Sequence, residues 1–187
     1  MRVPAHRRPL VAALALTLLL SGGGCARRTF SVRAVEPVPG DRIAPQVVSG
    51  RLGVRFAPMW DEDWQLDTLD ANATMAGVVP VRTEIENRSG DVVRLRRVRF
   101  SATDATGRTY RLLDAKKARK RLEKFYGVRL RSKEGDRLYK ADFDANVVDL
   151  KSDLAPGSRR QGLLFFELPA DVRRPVALTV TAADERK

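Results

Sequence analysis

Histidine and cysteine are almost absent from this sequence of 187 residues. The one histidine, His6, lies in an N-terminal leader, and the one cysteine, Cys25, stands at the end of that leader. The rest of the chain has neither an imidazole nor a thiol, which excludes Ser-His-Asp and Cys-His nucleophilic catalysis and zinc sites made of His and Cys. Only Met59 and Met75 remain beyond the leader, which argues against a copper carrier. We predict a protein that is not an enzyme and has no catalytic residues, cofactor or metal site.

Carboxylates leave two alternatives open. A hydrolase that uses carboxylates alone is compatible with the composition. Asp142, Asp144 and Asn146 match positions one, three and five of a calcium loop, and Asp153 falls at position twelve. Position six of such a loop requires glycine and is occupied here by Val147, so the calcium reading is disfavoured.

The sequence also lacks an apolar run long enough to cross a membrane. Its apolar leader, Leu10 to Leu20, is interrupted only by Thr17 and is about half of the roughly 20 residues that a spanning helix needs. Basic residues His6 to Arg8 precede it, and small residues Ser21 to Gly24 follow it. This order is typical of a secretory signal, and we predict that residues 1–24 are a signal peptide.

The end of the leader, LLLSGGGC, resembles the lipobox of bacterial lipoproteins. The resemblance implies that Cys25 carries a diacylglycerol and anchors the exported protein to a membrane. Gly24 fits the pattern, whereas Gly22 stands where the family has a bulky aliphatic residue. In that family an aspartate after the cysteine is typical of the inner membrane; Ala26 stands there in this chain, so the resemblance implies the outer membrane, facing the periplasm. Ordinary cleavage after Ala26 is the alternative.

Positive charge is concentrated in one part of the chain. The formal net charge is +12, and the segment from Val92 to Lys140 holds 17 Lys and Arg against 5 Asp and Glu. A chain whose positive charge is concentrated in one segment can orient against a charged surface. Residues 25–45 are poor in large apolar side chains and contain three prolines, so we predict a lipidated N-terminus with a flexible spacer. The remaining residues, 46–187, form one predicted domain.

Alternating apolar residues dominate this domain and predict short strands. Examples are Leu52, Val54 and Phe56, and a second series from Val79 to Ile85. Further strand-like segments are Val93 to Ala102, Thr109 to Leu113, Leu138 to Phe143, Val147 to Leu150, Gly162 to Leu168 and Val176 to Val180. In the first of these the alternation changes phase near Arg96 and Arg97, which indicates a β-bulge or a strand that changes sheets. The apolar run LLFF indicates a strand that is covered on both sides. Together these segments predict a mainly β fold, an antiparallel β-sandwich.

One helix, at about residues 114–127, interrupts the strands. Asp114 is a suitable N-cap and Gly127 a suitable C-cap. Ala115, Ala118, Leu122 and Phe125 form a narrow apolar stripe, and the other faces carry six cations: Lys116, Lys117, Arg119, Lys120, Arg121 and Lys124.

Three segments resemble the immunoglobulin-like domains of small bacterial lipoproteins of unassigned function. They are the strand–Asn–turn–strand VPVRTEIENRSGDVVRL, the Asp-x-x-Gly turn and aromatic strand DATGRTYRL, and LAPGSRRQGLLFFELP with its Pro-Gly turn. The resemblance implies an immunoglobulin-like sandwich and no catalytic residues, and the basic helix departs from it. A likeness of fold does not transfer a function.

Two surfaces are candidates for binding. The six cations of the basic helix predict contact with an acidic protein face, an anionic lipid or lipopolysaccharide. Nucleic acid is disfavoured, because the chain is exported and the patch lacks interleaved aromatic residues. Trp60 and Trp64 flank carboxylates in MWDEDWQLDTLD and predict a glycan or protein contact; the alternative is a loop whose tryptophans anchor it to the sandwich. We favour a membrane-anchored binding or structural module for another envelope component, with a glycan-binding accessory domain as the alternative.

Overall fold

The computed structural model describes residues 31–35, 46–48, 51–127, 133–172 and 178–184. The predicted signal peptide, Cys25 and most of the predicted spacer lie outside these residues. The described part contains ten strands and three helices: β1 Gln46–Val48, β2 Leu52–Pro58, α1 Glu62–Leu69, β3 Val78–Asn87, β4 Val93–Arg94, β5 Val98–Asp104, β6 Thr109–Tyr110, β7 Leu112–Leu113, α2 Ala115–Tyr126, α3 Lys133–Ala145, β8 Asp153–Leu154, β9 Arg159–Glu167 and β10 Leu178–Asp184.

Antiparallel pairing joins these strands into two main sheets. The larger sheet has the order β1-β2-β3-β9-β7 and the smaller one the order β10-β5-β6, while β4 and β8 form a separate two-stranded ladder. A 3-10 turn at Leu95–Arg97 stands at the predicted phase slip, between β4 and β5, and the chain changes sheets there. The prediction of a mainly β fold with antiparallel sheets is confirmed.

An inter-sheet core fills the space between the two main sheets. It takes alternate residues from the five-stranded sheet, such as Val81 of β3 and Leu164 of β9, which stand opposite each other in register. Phe56 of β2 meets Phe100 of β5 edge to face, with ring centroids 6.2 Å apart. Since side chains of a strand point alternately to the two faces of the sheet, every second residue of β3 and β9 points away from the inter-sheet core.

A helix-side core covers the opposite face of the five-stranded sheet. Leu163 and Phe165 of β9 belong to it, and Phe165 stacks on Phe143 of α3 with ring centroids 5.2 Å apart. Residues 163–166 are at most 2% exposed, so the prediction that this run is covered on both sides is confirmed. The five-stranded sheet is the middle of three layers, and the helices lie on its outer face.

The prediction of a single inserted helix was wrong, because α1 and α3 are also helical. The segment Leu138 to Phe143 was predicted to be a strand and belongs to α3. Tyr139 and Phe143 are buried on one side of this helix, where a spacing of four residues brings them together. A loop was the alternative for the acidic stretch after Trp60, but most of that stretch forms α1, whose N-cap is Asp61.

Part of the predicted flexible spacer packs against the helix-side core. The N–H of Arg33 donates to the carbonyl of Thr68 at 2.9 Å, and the N–H of Val35 donates to Asn146 Oδ1 at 2.9 Å. Val35 is buried among the residues of that core. Residues 31–35 are therefore held by the domain. The prediction that all of residues 25–45 form a flexible spacer was wrong for these five residues.

Asn87 is fully buried and joins two turns. Its Nδ2 donates to the carbonyls of Asp91 at 2.8 Å and Leu154 at 2.9 Å, and its Oδ1 accepts from the N–H of Ser89 at 3.0 Å. Its backbone carbonyl accepts from the N–H of Gly157 at 3.0 Å. The side chain and backbone of Asn87 thus fix the turn after β3 and the turn before β9.

Asp104 fixes the Asp-x-x-Gly turn between β5 and β6. Its Oδ1 accepts from the N–H of Thr106 at 2.9 Å and of Arg108 at 3.1 Å, and its Oδ2 accepts from the hydroxyl of Tyr110 at 2.7 Å. The bonds from the Thr106 and Tyr110 hydroxyls lower the pKa of Asp104 to about 2. Burial, together with this bond, raises the pKa of Tyr110 to about 12. The Asp-x-x-Gly turn is therefore fixed by an ionised carboxylate and a neutral phenol.

Replacing the Asn87 amide should destabilise the domain strongly. Asn87→Ala removes the amide that donates to the carbonyls of Asp91 and Leu154 and leaves a cavity at a fully buried position, and we expect a loss of about 2–4 kcal/mol in the free energy of unfolding. Urea denaturation at neutral pH measures this. Thr179→Ala, at an exposed position of β10, should change the free energy by no more than about 0.5 kcal/mol; similar losses for the two variants would contradict the assigned role.

Candidate functional site

Helix α2 has the ends that the sequence predicts. The carboxylate of Asp114 accepts from the N–H of Lys117 at 2.7 Å, and Gly127 ends the helix in the left-handed conformation with φ of 61°. Ala118 and Leu122 are buried in the helix-side core. Phe125, which was predicted for the same apolar stripe, is exposed, because the stripe turns away from the sheet at the last turn of the helix.

Two of the six predicted binding cations are engaged within the domain. Arg119 is only 7% exposed, and its Nη1 donates to Glu123 at 2.7 Å. Arg121 donates to the carbonyl of Gly77 at 3.2 Å and pairs with Glu167. The Arg121 guanidinium, with a smaller contribution from Arg111, holds the pKa of the Glu167 carboxyl below its usual value. Neither arginine is free to bind a partner.

The lysines of α2 point to solvent. Lys117 pairs with Asp114 at 3.1 Å. Lys116, Lys120 and Lys124 are exposed and have no salt-bridge partner among the described residues. Their spacing of four residues places them in one row along the helix, where like charges repel one another by about 0.2–0.5 kcal/mol per pair. An anionic partner would relieve this repulsion.

A groove lies beside the N-terminal end of this row and was not predicted from the sequence. Its volume is about 920 Å³, within the range of ligand-binding clefts. The groove lies at the edge of the five-stranded sheet, where β9 pairs with β7 and, further along, Val147 forms a parallel bridge with Leu163. Three separate stretches of the chain line it: 112–117, 144 with 147–151, and 164–165.

The chemistry of the groove suits binding. Apolar side chains such as Leu112, Val147 and Leu150 line it, with Lys116, Lys117, Lys151 and three aspartates around them. Its described lining contains amines and carboxylates but no hydroxyl, thiol or imidazole. The Ser152 hydroxyl and the N–H of Lys151 lower the pKa of Asp149, so this carboxylate is ionised at neutral pH. A segment with apolar side chains and charges of both signs would match such a surface.

The structure separates the two predicted tryptophans. Trp60 is half-buried and packs against the inter-sheet core, whereas Trp64 is half-buried against the helix-side core. The guanidinium of Arg82 lies 4.6 Å from the centroid of the Trp64 ring and occupies one of its faces. The two rings therefore belong to different layers of the domain, as anchors of α1 and the residues before it.

The residues considered for a calcium loop are largely helical. Asp142 and Asp144 lie within α3, and Asn146 Nδ2 donates to the carbonyl of Asp142 at 2.8 Å. In the part of the chain that the structure describes, no group of three or more acidic, histidine or cysteine side chains is placed to hold a metal ion. None of the helices described has the length and apolar character to span a membrane.

The two kinds of cation on α2 should differ in their effect on stability. Arg119→Ala removes a buried side chain and the partner of Glu123, and we expect it to lower the free energy of unfolding by about 1–3 kcal/mol. Lys120→Ala, at the next position, should change it by no more than about 0.5 kcal/mol. Urea denaturation of both variants checks this, and equal effects would refute the division between inward arginine and outward lysine.

Comparison with known proteins gives little likeness. No protein-family model matches the chain, and no curated protein matches its sequence. Among solved structures, the crystal structure of an ApaG protein from Pseudomonas aeruginosa aligns with 56% of this chain and 73% of its own, at 14% identity and a TM-score of 0.31. A likeness at this level carries no conclusion about function.

Proposed function

We propose that this chain is an exported lipoprotein, attached to a membrane by a lipid on Cys25, whose domain is a non-enzymatic binding module for another envelope component. The order of basic, apolar and small residues before Cys25 supports export. The lone cysteine supports lipidation, since an odd thiol in an oxidising compartment needs a partner or a modification. Ala26 supports the outer membrane, facing the periplasm, as the destination.

The observation that carries the binding role is the groove at the sheet edge. It combines apolar side chains with charges of both signs, and its described lining has no hydroxyl, thiol or imidazole. These properties favour a segment of another envelope protein over a small substrate. The lysine row of α2 begins at the groove and extends the surface toward an acidic part of the partner.

An immunoglobulin-like domain is the fold that we propose for this module. The two antiparallel sheets that face each other across the inter-sheet core support it, as do the turns held by Asn87 and Asp104. The three helices on the outer face of the larger sheet are an addition to a plain sandwich. The glycan-binding alternative gains no support, because Trp60 and Trp64 do not form one platform.

The lipid on Cys25 can be tested by mass. We expect the full chain, expressed in a bacterium and purified from membranes in detergent, to lack residues 1–24 and to carry a diacylglycerol on its first residue. Cys25→Ser should abolish both the added mass and the membrane attachment. Cleavage after Ala26 with no added lipid, measured by intact mass spectrometry, would refute the anchor.

The groove can be tested by crosslinking in cells. A photo-crosslinking residue at Lys116 or Lys151, on two of the stretches that line the groove, should yield an adduct of defined mass. The same residue at Thr179, exposed on β10, should not. Ala115→Trp narrows the groove and should reduce the adduct at least about tenfold, while Thr179→Trp should leave it unchanged. Equal adducts from all three positions, or no effect of Ala115→Trp, would exclude the groove as the binding site.

A further inference from the structure

Three neighbouring arginines form an exposed corner of the domain, where the chain leaves β4 and enters β5. Arg94 ends β4, and Arg96 and Arg97 belong to the 3-10 turn between the two strands. All three residues are exposed. Because they lie so close together in the chain, their Cα atoms are within about 11 Å of one another. We call these three residues the arginine corner.

Buried neighbours hold the backbone of the arginine corner in place. Leu95 is fully buried, and it packs in the inter-sheet core together with Val93 and Val98. The N–H of Val98 donates to the carbonyl of Leu95 and closes the 3-10 turn. A ligand of the corner would therefore have to order only the arginine side chains, which reduces the entropic cost of binding.

The arginine corner differs from the other arginines that the structure describes. Most of those form a salt bridge with an aspartate or a glutamate. Arg82 lies over the Trp64 ring, and Arg99 has another contact. The side chains of the corner have no ion pair or hydrogen bond within the described residues, so their guanidinium groups are available to another molecule.

No carboxylate of the described residues neutralises the corner. Asp153 is exposed and stands opposite Arg94 in the ladder of β4 and β8, but the two side chains form no salt bridge. Asp91, which precedes β4, pairs instead with Arg51 at 3.0 Å. The three positive charges of the corner therefore repel one another, and a bound anion would relieve this repulsion.

The chemistry of the corner favours phosphate groups on a lipid surface. A guanidinium is planar, weakly hydrated and able to bind phosphate through two hydrogen bonds. Among the exposed large apolar residues of the described part, only Val92 is next to the corner, and the others lie on the helices or in the loop after α1. A protein interface usually has an apolar centre, so a group of cations beside one valine matches a hydrated anionic membrane better than a protein.

We propose that the arginine corner binds the phosphates of anionic lipid headgroups and turns this end of the domain toward the bilayer. Each arginine near an anionic surface strengthens the attraction about fivefold, so the three together account for roughly a hundredfold. The inference uses no residue of the groove. It does not require the lipid on Cys25 either, because an anchor would only keep the corner close to the headgroups.

Energy transfer from a fluorophore to the membrane tests the orientation. The full chain, processed by the cell, carries Val92→Cys or Met75→Cys for labelling. These positions flank the two ends of β3, a strand of 10 residues that spans about 30 Å. Processing leaves no other free thiol, since Cys25 either carries a lipid or is removed with the leader. The protein is added to vesicles that contain a trace of headgroup-labelled acceptor lipid.

We expect energy transfer from the label at Val92→Cys to be greater with vesicles of phosphatidylglycerol and phosphatidylcholine than with phosphatidylcholine alone. The label at Met75→Cys should show no such increase, and added salt should reduce the effect. Arg94→Gln with Arg96→Gln and Arg97→Gln should abolish the increase. Since all three residues are exposed, the urea midpoint of this variant should remain unchanged, which separates a lost contact from a lost fold.

A matched control removes three lysines that are exposed on α2 and α3. Lys120→Gln with Lys124→Gln and Lys133→Gln changes the net charge equally and should leave the increase in place. The proposal is overturned if phosphatidylglycerol has no effect, if the arginine variant behaves like the unaltered chain, or if the lysine variant loses the increase to the same extent. It is also overturned if the three arginines are needed only to recover an acidic protein from detergent-solubilised membranes. Intact mass decides separately whether Cys25 carries a lipid.

Discussion

The architecture depends on strand β9, whose residues 163–166 are apolar on both faces of the sheet. In β9, Leu164 and Phe166 enter the inter-sheet core, while Leu163 and Phe165 between them enter the helix-side core. A sheet of this kind is stable only when both faces are removed from water. The three-stranded sheet covers one face and the helices cover the other, so the position of α2, and of every group on its outer surface, follows from this requirement.

Local sequence patterns predicted those parts of the fold whose pattern is compatible with only one type of secondary structure. The alternating strands, both caps of α2 and the buried run of β9 are of this kind. For α3 the pattern was ambiguous, because a spacing of four places Tyr139 and Phe143 on one side of a strand as well as of a helix. The groove was beyond sequence reasoning, since its lining comes from stretches that only the pairing of β7 and Val147 with β9 brings together.

The basic helix shows that composition predicts the charge of a segment better than it predicts which of the charged side chains can bind a partner. Arg119 and Arg121 carry the same formal charge as their lysine neighbours, yet both turn toward carboxylates of the domain. A planar guanidinium can form several directed hydrogen bonds while its stem packs, whereas lysine keeps a strongly hydrated ammonium in water. The surface of α2 that a partner can reach is therefore the row of lysines, which has the groove beside its N-terminal end.

The contact of Arg33 and Val35 with the domain would set how far the domain can lie from a lipid on Cys25, the anchor that we propose. A spacer free from Cys25 to Gln46 could extend at most ~70 Å, whereas a chain first held at Arg33 can extend at most ~28 Å. A domain of this size is roughly 35–40 Å across, so a lipid on Cys25 would keep it next to the bilayer, with little freedom to turn over. With that anchor, the far side of the domain would reach at most about 65 Å from the bilayer, the extended chain plus one domain diameter, and a partner lying deeper would be out of range.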